Sequence, residues 1–371
     1  MTVNNSGGNT RNLMTREQFL SLIKDLEIPD GEIAAGTRTR WNSLCKPIGS
    51  FGQLEFFHQR LAAIEGTTDP DISPRALFIF AADNGIVAEG VTQSGPEATA
   101  QLMRDIAGRK SIINIIARDT ATTVIPVNLG VRDLNEEDGI VHVPISPDGT
   151  KNFAETEAMS EAEMMLAIQL GYELASEAIN NGYKLLIAGE MGMGNTSTST
   201  ALLAALEETN AASICGRDAG LSDEKFLRKQ EVIAAALQMH NLSPDDPMTA
   251  LRTVGGFDIA AILGFYAVAA LNKVPVILDG LITQVAAVVL KQLQANISHY
   301  IFAAQRTSEP GCELALRSLG LTSILDLDLH QGEGSGALLA LPLFDRAISI
   351  YRESTVCEAS DVEFDELYDR P

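Results

Sequence analysis

Glu333 stands between glycines in QGEGSGALLALPLF (331–344), at the mouth of an apolar helical run. Two roles fit a carboxylate there. At a helix N-terminus an acid can bond free N–H groups and meet the positive end of the dipole. Hemmed in by glycines and apolar side chains it instead loses hydration and gains pKa, the adjustment a general base near neutrality needs. In that second role the glycines give clearance for a flat aromatic molecule, and Ser335 with the helix behind it is the platform.

Other loops carry complementary chemistry. GEMGMGNTSTSTALLAAL (189–206) places Gly192, Gly194 and Asn195 between an apolar run and a helical one. Glycines let successive N–H groups converge on an anion, and the helix N-terminus adds partial positive charge, so a phosphate fits. Close strand–helix packing is the other use of such glycines. The spacing is neither G-x-G-x-x-G nor a Walker loop. CGRDAGLSDEKFLRKQ (215–230) offers Arg217, Lys225, Arg228 and Lys229 as candidate cations, although such side chains commonly cover a solvated helix face. QRTSEPGCE (305–313) brings Thr307, Ser308 and Glu309 to a third helix mouth, and AADNGIVAEGV (81–91) puts Asp83, Asn84 and Gly85 at a strand end, where Asn-Gly also favours a plain turn. Three such helix mouths together would make a phosphate–sugar cradle.

The five histidines, at 58, 142, 240, 299 and 330, show no metal-ligand spacing, and G-x-S-x-G is absent. The reading therefore includes no metal and no cofactor. A formal net charge of −22 argues against a nucleic-acid partner. Cys45, Cys215, Cys312 and Cys357 are far apart without C-x-x-C spacing, which predicts reduced structural thiols. The polar opening MTVNNSGGNTRN and the shortness of the apolar run at 259–271 predict a cytoplasmic protein without a membrane span.

The elements that must position these loops alternate. Apolar runs at 76–83, 122–130, 140–146, 184–190, 274–280, 300–305 and 323–329 read as buried strands. Helical stretches fall at about 97–118, 155–181, 197–208, 223–240, 256–272, 281–296 and 310–319, with further helices from Thr15, over 51–64 and over 336–353. The alternation predicts an α/β fold with a doubly wound parallel sheet, whose ligands bind at the carboxyl ends of the strands. Residues 1–14 read as a disordered tail, and the acidic stretch from Cys357 onward as a solvated helix or frayed end.

The ordered series KPIGSFGQLE (46–55), ADNGIVAEGV (82–91), GEMGMGNTS (189–197), VGGFDIAA (254–261), VILDG (276–280) and GEGSGALLALPL (332–343) resembles the nicotinate-nucleotide:dimethylbenzimidazole phosphoribosyltransferase family over nearly the whole chain. The resemblance implies a Rossmann-like sheet with a small helical domain formed from both chain ends. The expected division is 1–70 for the N-terminal part of the small domain, 71–330 for the α/β domain, and 331–371 for the catalytic loop with the C-terminal part. It implies transfer of phosphoribosyl from nicotinate mononucleotide to 5,6-dimethylbenzimidazole, no metal or cofactor, and a homodimer.

Carried over by residue, Glu333 matches the catalytic base, and Glu190, Gly192, Gly194 and Asn195 the nucleotide loop, with Glu190 beside the sugar. Lys229, Gly216, Gly220 and Thr307 fall on the phosphate side, and Ser94, Gln101 and Asp83 in the base pocket. The chain departs from the family pattern at Asn84, Gln305, Cys312, Asp218 and Asp258, which loosens the phosphate and dimer details. Another acceptor base, or a catalytically silent nucleotide-binding relative, are the alternatives.

Overall fold

A computed structural model describes residues 13–218 and 220–357. Six strands form one sheet: β1 (Arg75–Ala82), β2 (Thr122–Gly130), β3 (Val141–His142), β4 (Leu185–Met191), β5 (Val276–Leu278) and β6 (Ile301–Ala303). All neighbours pair in parallel, in the order β3-β2-β1-β4-β5-β6. Every residue of β1 and β4 is buried, as the unbroken apolar sequences RALFIFAA and LLIAGEM require of strands covered on both faces. The order reverses between β1 and β4, so a crevice opens beyond their carboxyl ends.

Helices cover the sheet. Phe257–Leu271, apolar almost all round, packs along Glu161–Asn180. Near the chain ends Gly31–Ser43 packs on Gln53–Glu65, which in turn packs on the last helix, Ser335–Glu353. A guanidinium–carboxylate pair between Arg75 and Asp345 fastens that helix to the start of β1. No described helix is long and apolar enough to cross a membrane.

Several expectations are corrected. Residues 323–329 are not a strand: only Leu325 bridges to Gln305, and Asp328 takes a positive φ of 53°. The run 140–146 contributes just two paired residues. The stretch 97–118 divides into helices Glu97–Ala107 and Ile112–Asp119, because the chain turns at GRKS with Arg109 at φ 57°. Helices Gly31–Ser43 and Pro247–Val254 were not anticipated.

The thiol expectation fails for one pair. Cys45 and Cys357 form a disulfide across 312 residues, where Leu44 bridges antiparallel to Val356 and the Cys357 N–H donates to the Ser43 carbonyl at 3.0 Å. Cys215 and Cys312 are free and buried. Most of both predicted tails, 1–12 and 358–371, lies outside the described residues.

Candidate active site

The loops after β4, β5 and β6 and the turn before the last helix enclose a cavity of about 250 Å³. Its lining brings together Glu190, Gly192, Gly194, Asn195, Thr307 and Glu333, although they come from distant parts of the sequence. Helix Asn195–Leu206 starts there, with Gly194 as its N-cap at φ 90°. Thr307 Oγ1 and Glu309 Oε2 are buried there without a hydrogen-bond partner among the described residues.

Glu333 answers the question its sequence raised. Gly334, not Glu333, is the N-cap of helix Ser335–Glu353, and the carboxylate that caps the helix belongs to Asp279. Glu333 is thereby released from capping. Its oxygens accept from Ser111 Oγ at 3.3 Å and Gln331 Nε2 at 3.2 Å, and only 5% of the residue is exposed. Burial raises its pKa from the ordinary carboxylate range, and those two bonds pull the other way.

Two absent side chains make this placement possible. A Cβ on Gly189 would stand 2.6 Å from the backbone carbonyl of Glu333, so only glycine lets the turn lie against β4. A Cβ on Gly332 would stand 2.5 Å from Glu190 Oε1, and the end of that side chain would have to shift to admit it. The two glutamates thus come to one side of the cavity because neither close approach is blocked.

Glu190 sits deeper and among acids. Burial, then the neighbouring Asp258, push it up to about 8, with Asp279 and Glu333 adding to the rise while the Asn195 amide opposes it. Asn195 Nδ2 donates to Glu190 Oε2 and, at 3.3 Å, to Asp258 Oδ2. Burial lifts Asp258 and Asp279 to about 6 despite the N–H groups that each accepts. Four acids without a salt-bridge partner among the described residues form a site that favours positive charge in whatever binds.

Ser308 and Glu309 also line the cavity, whereas the other sequence candidates lie around it. Lys229 is fully buried behind the wall, donating to Thr196 Oγ1 at 2.9 Å and the Gly216 carbonyl at 3.2 Å, so it braces a lining hydroxyl. Gly220 is exposed, its carbonyl accepting from Gln93. Ser94 and Gln101 do not line the cavity; Gln101 is exposed and donates along its own helix to Asp105 at 3.2 Å. Asp83 is buried beside β2, its carboxylate accepting the Arg132 N–H at 2.8 Å. The other cations are engaged elsewhere: Arg217 with Asp223, Arg228 with Glu89, Lys225 with the Thr92 carbonyl.

The departures from the family pattern have structural duties. Asn84 donates to the Met193 carbonyl at 3.2 Å, Asp218 donates its N–H to Glu309 at 2.8 Å, and Gln305 donates to Asp279 at 2.9 Å. Cys312 donates to Gln284 at 3.1 Å. Sequence reasoning missed Asp279, Asp258 as a member of the acid group, and Ser111; Asp279 follows an apolar strand and precedes a glycine, the one signal it gave. Among the described residues no cluster of His, Cys, Asp and Glu is arranged to hold a metal.

A six-stranded parallel sheet with an acid-lined cavity past its strand ends defines an α/β enzyme, and the family model described as Phosphoribosyltransferase (DBI_PRT) matches residues 26–362. The nicotinate-nucleotide–dimethylbenzimidazole phosphoribosyltransferase of Acetivibrio thermocellus is 36% identical over 324 residues, covering 87% of this chain and 92% of that one. The enzyme of the same name from Halalkalibacterium halodurans is 38% identical over 321 residues, covering 86% and 90%. The crystal structure of CobT from Thermus thermophilus superimposes with a TM-score of 0.83 at 35% identity, over 86% of this chain and 96% of that one. The chain belongs to the nicotinate-nucleotide–dimethylbenzimidazole phosphoribosyltransferase family.

Proposed function

We propose that this enzyme moves the phosphoribosyl group of nicotinate mononucleotide onto a benzimidazole-type base, 5,6-dimethylbenzimidazole in the first instance, giving the α-nucleotide and free nicotinate. The observation that carries the reading is Glu333: a buried carboxylate of raised pKa, relieved of helix capping and facing the cavity. It takes the N–H proton of the acceptor while the other ring nitrogen forms the new bond to the ribose anomeric carbon. The bond to nicotinate breaks on the opposite face, and its electron pair neutralises the departing pyridinium nitrogen. Attack opposite the leaving group converts a β-nucleotide to an α-nucleotide.

Glu190 supports the sugar. The pyridinium of the donor, and then the positive charge that grows on the ribose, lower the pKa of a carboxyl beside them, so a group held near 8 ionises as the donor binds. The phosphate takes the Gly192–Thr196 turn and the unpartnered Thr307 hydroxyl, with Thr196 braced by Lys229.

The test is to incubate the protein with nicotinate mononucleotide and a panel of benzimidazoles, purines and phenols, and to follow nicotinate release and the anomeric configuration of the product. Dimethylbenzimidazole should turn over to the α-nucleotide. No nicotinate release with any acceptor would sink the reading.

The proposed assembly is a homodimer. Supporting it are Ile112, Ile115 and Leu339, exposed by 63%, 53% and 39% on two helices that pack together beside the cavity. Sedimentation velocity reads it directly, and a monomer at micromolar concentration would refute it.

A further inference from the structure

Glu333 occupies a backbone conformation that its residue type resists. Its φ is 61° and that of Gly334 is 85°, two successive left-handed residues, the first of them carrying a Cβ. Such a conformation persists only where the surroundings over-determine it. The carboxylate's own partners, Ser111 and Gln331, hold the far end of the side chain and leave the backbone free to relax.

The backbone is held from another strand. Asp279, the residue that follows β5, turns its carboxylate under the start of the last helix. Oδ2 accepts the Gly334 N–H at 3.1 Å, and Oδ1 accepts those of Gly336 at 2.8 Å and Ala337 at 3.2 Å. A second layer aims it: Gln305 Nε2 donates to Oδ1 at 2.9 Å, and the Asp279 N–H donates to the Thr283 hydroxyl at 3.0 Å. Gln284 in turn donates to the carbonyls of Asp279 at 3.2 Å and Gln305 at 3.1 Å. Asp279 has no solvent exposure, so this carboxylate is buried against the donors of the turn it holds and the amide that aims it. Burying a charge for helix stability alone is a poor exchange, since its desolvation offsets most of what a cap contributes.

We propose that Asp279 is a positioning residue for the reaction: by capping the last helix from β5, it fixes the left-handed turn at 333–334 and leaves the Glu333 carboxylate free to face the acceptor. The catalytic consequence rests on the reading of Glu333 as the base. The N–H groups at the two ends of the turn cannot both be satisfied by an amide, which offers one acceptor oxygen where the carboxylate offers two. Loss of the cap lets the turn unwind by a fraction of a residue, and Glu333 swings away from the acceptor nitrogen.

Asp279→Asn and Asp279→Ala, purified as full chains, test this alongside Gln305→Ala, which removes one donor and keeps the carboxylate. A misplacement of about 1 Å is expected to lower kcat on the order of 10²-fold in Asp279→Asn, with KM for nicotinate mononucleotide near the parent's. Gln305→Ala should fall between that variant and the parent. Hydrogen exchange should quicken at the Gly334, Gly336 and Ala337 amides and stay slow in β1, which separates a local loss of register from general unfolding. A folded Asp279→Asn with parental kcat overturns the proposal, as does unchanged protection of those three amides. Glu333→Gln, measured in parallel, keeps the two failures apart: its full activity would sink the base reading, whereas the exchange result judges the cap by itself.

Discussion

Two regions of the molecule bury titratable groups, one as an isolated ring and the other as a cluster of like groups. Near the chain ends His58 is enclosed by Trp41 and Tyr351, with ring centroids 5.8 and 4.2 Å away. Trp41 Nε1 donates to His58 Nδ1 at 3.2 Å, and burial drives the imidazole down to about 4, hence neutral. The Cys45–Cys357 disulfide lies alongside, and Lys46 stacks its ammonium 5.5 Å from the Trp41 ring. Aromatic area, a neutral imidazole and a covalent tie all serve cohesion there. Around the cavity, Glu190, Asp258, Asp279 and Glu333 gather without a salt-bridge partner among the described residues, and burial raises the pKa of each. Burial favours the neutral form in both regions; near the chain ends it leaves one isolated neutral ring, whereas at the cavity it gathers several acids where a bound positive charge would ionise them.

That contrast breaks if mutations in the two regions behave alike. Glu333→Gln should have the largest effect, lowering kcat by about 10²- to 10⁴-fold while the folded structure is kept, because an amide cannot accept the proton. Steady-state nicotinate release measures it, and a fully active variant removes Glu333 from the chemistry. Trp41→Ala should do the reverse, costing about 3–5 kcal/mol of stability with kcat unchanged in the folded fraction. Chemical denaturation together with an activity assay below the transition reads both.

The smallest effect concerns pH. The folded-state pKa of Glu190, about 8, lies above its ordinary 4.5, so between those values the folded protein holds the proton more tightly than the unfolded chain. The stability this contributes is complete below 4.5 and is lost as pH rises through 8. Glu190→Gln removes that dependence. Its melting temperature relative to the parent should therefore climb steadily from acid to mildly alkaline pH, and a flat difference would mean that Glu190 titrates normally.

The sheet was legible because β1, β2 and β4 are long apolar runs, and the rule that ligands sit at strand ends led directly to the loops after β4 and β6. The false strand at 323–329 alternates polar and apolar residues as a strand does, yet its backbone meets β6 only around Ile324 and Leu325, and Leu327 is exposed. Helix Gly31–Ser43 escaped notice because it buries just Thr37 and Trp41, too few for a visible stripe, although Asp30 supplies its cap. Asp279 and the disulfide were illegible for one reason: their partners lie 55 to 58 and 312 residues away, a distance at which no local pattern registers. Of the expected site, the glutamates and the glycine loop converge, while Ser94, Gln101 and Asp83 stand apart from the cavity.

Gly189 shows how far the reach of an active site extends into its scaffold. It presents nothing to the cavity and contributes no hydrogen-bonding side chain, yet a single added methyl group would collide with the carbonyl of Glu333. In a mutational scan it would register among the chemically essential positions while having no chemistry of its own. The information that locates the carboxylate is carried as an empty volume, and an empty volume is spoiled by any side chain at all.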